Sequence, residues 1–176
     1  MKLDVVAGSK NDEFYTPIYA IEPLVKYLQA KNYKNIWSPF DTENSNFYKY
    51  LTNLGFNVKA THLATGDDFF FSDYECDCIV SNPPYSLKTE VFDRLFALNK
   101  PFAMLVGVVG IFESEKRFSM FANNSFEIMY LNKRISYFKD YNDPKPSLNP
   151  PFSSVYIAKD LFSSQIVFER VKKWQK

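Results

Sequence analysis

The chain has 176 residues, a net charge of +1, 46% hydrophobic and 23% charged residues. That length fits a single domain over 1–176 with a substantial core. The near-neutral charge excludes a protein held on nucleic acid by one broad basic face, so any such contact must be local. Cys76 and Cys78 stand alone as a Cys-x-Cys pair, too few ligands for a metal site and poorly spaced for a disulfide, so no metal is expected. No secretory signal is visible and no apolar run approaches the roughly 18 residues of a membrane span, so the expectation is a cytoplasmic protein without membrane contact.

In chain order, residues 1–14 read as a polar arm. Pro17 opens a helix with Thr16 as its cap, and Ile18, Ile21, Leu24, Val25 and Leu28 recur at helical spacing. A short strand follows at Asn35–Ser38. A second helix runs from about Glu43 to Leu54, with Phe47, Tyr48, Leu51 and Leu54 on one face and Gly55 as its stop. Phe56–His62 reads as a strand, and Thr65-Gly66-Asp67-Asp68 as a turn. Cys76–Ser81 is a near-continuous apolar run, the pattern of a strand buried on both faces. A turn at Asn82–Ser86, a helix at about Lys88–Leu98 and a buried strand at Pro101–Val109 come next. Strand and helix alternate here, which predicts an α/β, Rossmann-like, mostly parallel central sheet with helices on both faces. Further on, Glu113–Ala122 reads as a helix, and Phe126–Leu131, Ile135–Phe138 and Ser154–Ala158 as strands. The stretch Asp140–Pro151 holds four prolines and reads as a loop. The tail reads as a last strand and a short helix.

The segment that carries chemistry is Asn82-Pro83-Pro84-Tyr85. In an open parallel sheet ligands bind beyond the carboxyl ends of the strands, and this tetrapeptide leaves such an end. Two prolines stiffen the backbone and remove two N–H donors. What remains are acceptors, the Asn82 side-chain oxygen and the Pro83 carbonyl, suited to the two hydrogens of an exocyclic amine. Tyr85 adds an aromatic face for a planar base, worth about 1–3 kcal/mol. An aromatic amine is a weak nucleophile because its lone pair is shared with the ring. Accepting both hydrogens draws the nitrogen toward tetrahedral, and positioning then does most of the catalytic work. The alternative is that these residues form only a stiff turn. Asn149-Pro150-Pro151-Phe152 repeats the pattern without a preceding buried strand and reads as loop, bordering the cleft at most.

The order of these motifs resembles the N6-adenine DNA methyltransferases, and in particular a small phage and prophage group of them. Their Tyr/Phe-Thr-Pro motif is matched by Tyr15-Thr16-Pro17, and their catalytic motif by Asn82-Pro83-Pro84-Tyr85. Their acid preceding an aromatic that caps the donor adenine is matched by Asp67 or Asp68 with Phe69. The string from Trp37 to Ser45, with Ser38, Phe40 and Asp41, is similar to the donor loop of the phage group. The resemblance covers residues 13–109 best. It implies the class I S-adenosylmethionine-dependent methyltransferase fold, S-adenosyl-L-methionine as cofactor, and adenine N6 in DNA, or RNA, as target. A single-stranded or flipped base is the form of nucleic acid expected.

Three departures stand out. Thr42 and Asn44 occupy places where the family has glycines, and Ser38 replaces the leading acid. Asp41 and Glu43 then supply the charge, or simply favour the start of the next helix through its dipole. Thr61 and His62 stand where the second strand should end in a ribose-binding acid. The part expected to recognise a target is thin. Only 110–152 is available, where Lys116, Arg117, Lys139 and Lys145 are spread among Phe118 and Tyr141. Lys133-Arg134 with Tyr137-Phe138 is the best candidate there for contact with the target base. Two other functions remain open: a catalytically degenerate module that binds nucleic acid or protein, and a methyltransferase acting on guanine N2 or a protein glutamine. Target sequence and oligomeric state are not written in the chain.

Overall fold

The computed structural model describes residues 14–172, so the expected arm, apart from Phe14, and the end of the tail lie outside the described residues. The chain runs α1 (Ile18–Ala30), β1 (Asn35–Ser38), α2 (Asn46–Asn53), β2 (Asn57–Ala60), β3 (Cys78–Ser81), α3 (Lys88–Leu98), β4 (Phe102–Gly107), α4 (Glu115–Ala122), β5 (Glu127–Leu131), β6 (Ser154–Lys159) and β7 (Ile166–Glu169). The strands form one seven-stranded sheet in the order β2-β1-β3-β4-β6-β5-β7. The ladders β1–β2, β1–β3, β3–β4 and β5–β7 are parallel, and β6 alone runs antiparallel to its neighbours. This is the Rossmann-like α/β fold expected from the sequence.

Alternation along each strand assigns its residues to the two faces. Ile36, Cys78, Val80, Ala103 and Leu105 pack under α1 and α2 with Ile21, Leu24, Phe47 and Leu51. Trp37, Ile79, Phe102, Met104 and Val106 pack under α3 and α4 with Val91, Phe92, Leu95 and Phe121. All residues of β3 and β4 are buried, as a strand covered on both faces requires. Neither cysteine forms a disulfide; Cys78 is a buried core residue and Cys76 is partly buried beside it.

The elements differ from expectation in specific places. Thr16 does not cap α1; Pro17 is the capping residue, with no side-chain bond, and Thr16 is used elsewhere. Helix α2 starts three residues later than expected because the Ser45 hydroxyl accepts the Tyr48 N–H at 3.4 Å and sets its first turn. Strand β3 starts at Cys78, since the Asp77 carboxylate accepts the N–H groups of Lys34 and Asn35 at 2.7 Å each. Ile135–Phe138 does not join the sheet. It forms isolated bridges, Tyr15 to Phe138 and Tyr137 to Leu148, because prolines in the facing loop cannot extend a ladder. No helix forms in the tail up to residue 172. Among the described residues, no helix is long and apolar enough to cross a membrane.

Phe92 is fully buried between the sheet and α4, with its ring against Phe102 and Phe121. Phe92→Ala is expected to lower unfolding free energy by about 3–5 kcal/mol in a denaturant titration.

Candidate active site

Strand order reverses at β1: the chain passes from β1 to β2 on one side, and β3 lies on the other. Loops leaving the carboxyl ends of β1 and β3 therefore diverge and open a crevice, the place where open α/β sheets bind ligands. A cavity of about 730 Å³ lies there. Its walls come from 39–42, 44 and 45 after β1, 62–64 and 67–70 after β2, 82–84 after β3, the segment 14–16, and 140–142 of the Pro-rich loop.

Of the residues expected to hold the donor, Tyr15, Thr16, Phe40, Asp41, Asp67, Asp68 and Phe69 line this cavity. Pro17 and Ser38 do not. Pro17 is buried as the cap of α1. Ser38 is fully buried at the end of β1, and its hydroxyl has no partner among the described residues. The structure also separates the two acids that the sequence left equivalent. Both oxygens of Asp67 are taken, by the Ser72 and Tyr74 hydroxyls at 2.6 Å each, and these bonds hold its carboxyl below the usual range. Asp67 is thus a buttress. Asp68 accepts the Phe70 N–H through one oxygen at 2.9 Å, and its other oxygen has no partner among the described residues. Phe40, Phe69 and Phe70 form an aromatic wall beside it, with Phe69 against both of the others. His62 lines the cavity as well, but its Nδ1 accepts the Ala64 N–H and caps a short 3-10 turn. Glu43 is exposed and does not line the cavity, so Asp41 alone of that pair brings charge to it.

Asp41 is 6% exposed. Its backbone N–H donates to Thr61 O at 3.1 Å, which ties the loop to the end of β2. Its carboxylate accepts the Ser81 hydroxyl at 2.5 Å, while Ser81 in turn accepts the Phe40 N–H. Burial pushes this carboxyl up from 3.8 to about 7, and the hydroxyls of Ser81 and Ser45 offset only part of that cost.

The catalytic candidate Asn82 has a fixed orientation. Its Nδ2 donates to Phe14 O at 2.7 Å and to Thr16 Oγ1 at 3.1 Å. With both hydrogens engaged, Oδ1 is left as the free end of the carboxamide, and it has no partner among the described residues. A polar atom left unpaired in a site of this kind costs about 1–3 kcal/mol unless a ligand donates to it. Pro83 and Pro84 also line the cavity. Tyr85 stands just outside, where Phe14 stacks on its ring at 4.8 Å and 23°. Phe152 packs against the same ring at 5.3 Å and Lys88 lies 5.7 Å from its centre. The second Asn-Pro-Pro-Phe segment therefore does border the site, through Phe152. Position 107 must be glycine for this, because a Cβ there would sit 2.8 Å from the Phe152 ring.

The expected base contact at residues 133–138 needs correction. Tyr137 is fully buried and Phe138 is 5% exposed, so neither offers an open face to a base. Tyr137 instead bonds Ser154 at 2.6 Å and Tyr85 at 3.1 Å and supports Tyr85 from behind. Lys133 and Arg134 are exposed beyond the carboxyl end of β5, on the same edge of the sheet as Asn82, and do not line the cavity. Two contributors were missed. Phe14 shares its residue type with 17 other positions in the chain and belongs to no motif. Tyr141, 4.7 Å from the Tyr15 ring, was visible only as one of several aromatics between 110 and 152. No cluster of metal ligands occurs among the described residues.

No family model matches the chain, and no curated protein matches it. Among solved structures it is similar to one titled "Structure of a putative methyltransferase from Thermoplasma acidophilum". The identity is 13% and the TM-score 0.37, over 89% of this chain and 68% of the other. No residue role is carried over at that distance.

Because the Asp41 carboxyl is raised on folding, the native state holds a proton that the unfolded chain gives up. Stability therefore falls as pH rises from the unfolded value of 3.8 to about 7, and the penalty is complete above that. Asp41→Asn is expected to raise the melting temperature at pH 8, with the gain shrinking as pH is lowered toward 5, in paired thermal melts.

Proposed function

We propose that the protein transfers a methyl group from S-adenosylmethionine to an exocyclic amine, namely N6 of adenine in DNA presented as a flipped or single-stranded base. The observation that carries this is the Asn82 carboxamide: oriented by two acceptors, with its buried oxygen unpaired, on a residue that lines the cavity. With the Pro83 carbonyl it provides two acceptors for one amine, and no strong base is required. The donor supplies an activated methyl on sulfonium. The chain's part is to hold the two reactants in line.

The cavity suits that donor. Its volume lies in the usual range for small-molecule sites. The Phe40, Phe69 and Phe70 wall fits a flat adenine, and the free oxygen of Asp68 suits an amino hydrogen on that ring. Asp41 adds a second, buried acid to the lining. The choice of adenine rests on the motif pair Tyr15-Thr16-Pro17 and Asn82-Pro83-Pro84-Tyr85.

A second reading is a module that binds nucleic acid or protein without catalysis. It is favoured by Thr42 and Asn44, whose side chains line the cavity where the family has glycines.

The test is incubation with methyl-labelled S-adenosylmethionine and adenine-containing DNA or RNA, followed by nucleoside mass spectrometry. Label at adenine N6 is expected, with Asn82→Ala slower by at least about a hundredfold. Label on guanine or glutamine would move the target, and full activity of Asn82→Ala would remove Asn82 from the reaction. Donor binding without any transfer would leave the second reading.

A further inference from the structure

The last two strands of the sheet leave part of one face uncovered. Residues of β5 and β7 alternate between the two sides. Met129 and Val167 are buried in the core under α1. Ile128 points the other way and is buried in the core under α4, with Phe121. On that same side the parallel ladder sets Ile166 beside Ile128 and Phe168 beside Tyr130. Here cover ends: Tyr130, Ile166 and Phe168 are 38%, 51% and 77% exposed. The rings of Tyr130 and Phe168 stack on each other at 5.7 Å and 21°. Parallel strands are ordinarily covered on both faces, so an open aromatic stripe on such a ladder marks a place for a partner.

The charge beside this stripe has one sign. Lys133 and Arg134 follow β5 and Arg170 follows β7, at the same end because the strands are parallel, and all three are exposed. The acids of both strands are engaged on the opposite side. Glu127 accepts the N–H groups of Leu161 and Phe162, and Glu169 is held by Lys26 and Tyr27 of α1. A second copy of this chain would bring three more cations and no strand acid to the same face. A partner that offers flat apolar rings and regularly spaced anions meets both features at once.

We propose that this face is a docking platform for single-stranded nucleic acid. A base stacks on the exposed Phe168 ring, Tyr130 backs that ring, and Lys133, Arg134 and Arg170 hold the phosphates. The basic pair thus finds its aromatic partners across the ladder rather than in the buried Tyr137 and Phe138. The platform goes beyond the proposed reaction and does not depend on it. The two sites are compatible in space: β5 and β3 end on the same edge of the sheet, three strand spacings or about 14 Å apart, so one strand can lie along both.

Fluorescence anisotropy of a labelled oligothymidylate at rising salt tests this. Thymine carries no exocyclic amine, so the probe reads the platform and not the amine site. The parent should bind it, and more weakly as salt rises. Phe168→Ala should weaken binding about tenfold, and Phe168→Trp should keep it within about twofold of the parent. Lys133→Ala combined with Arg134→Ala should lower the slope of log affinity against log salt by about 1.4, the share of two phosphates on a single strand. Phe71→Ala, at an exposed ring beyond β2, should bind like the parent. No binding by the parent, or equal binding by Phe168→Ala, would overturn the platform. A parent that sediments as a dimer, becomes monomeric in Phe168→Ala and ignores the oligonucleotide would give the face to a second copy instead. Failure of methyl transfer would count against the cavity alone, since thymidylate binding is read without it.

Discussion

The site is organised around the Asn82 carboxamide. One amide group spends both hydrogens on the segment before α1, at Phe14 O and Thr16 Oγ1, and this alone determines which of its atoms is left for a ligand. Rotation of the amide by a half turn would place two donors where an amine needs acceptors. The bond also fastens the segment 14–17 across the mouth of β3, and Thr16 O in turn accepts from Asn46 at the start of α2. Residues brought from three parts of the chain thus share one small network, and the neighbouring Ser81 extends it to Asp41.

The aromatic surroundings follow from the same contact. Because Phe14 is drawn toward Asn82, its ring stacks on Tyr85 and lies edge-on to Tyr137 and Phe152. Tyr85 is therefore not a bare platform: one face is already covered in this structure. Much of the chain's high aromatic content goes into clusters of this kind, with a second run through Phe92, Phe96, Phe112, Phe121 and Phe126 under α3 and α4.

Elements were legible where local chemistry and burial agree. Asn35–Ser38 and Lys88–Leu98 have the expected bounds because a proline follows the first, and an apolar stripe ending in the left-handed Asn99 marks the second. The Asn-Pro-Pro-Tyr turn was legible because its neighbours form a strand buried on both faces. Other features depend on partners distant in sequence. Nothing local tells Asp67 from Asp68; the hydroxyls of Ser72 and Tyr74 do. Thr16 has the composition of a cap, yet its hydroxyl serves Asn82 instead. Tyr137 and Phe138 were candidates for contact with the target base beside Lys133 and Arg134, but bridges to Leu148 and Tyr15 bury them. The burial of Asp41 is likewise a tertiary fact, created by the loops that close over it.

The most direct measurement of the role given to Asn82 is the rate of methyl transfer at saturating donor in Thr16→Val and Thr16→Ser. Valine keeps the shape of Thr16 and removes one of the two acceptors, so the amide is held by Phe14 O alone. The rate should fall about tenfold or more, and serine should restore it. Equal rates in the parent and Thr16→Val would contradict the claim that this bond sets the amine acceptor.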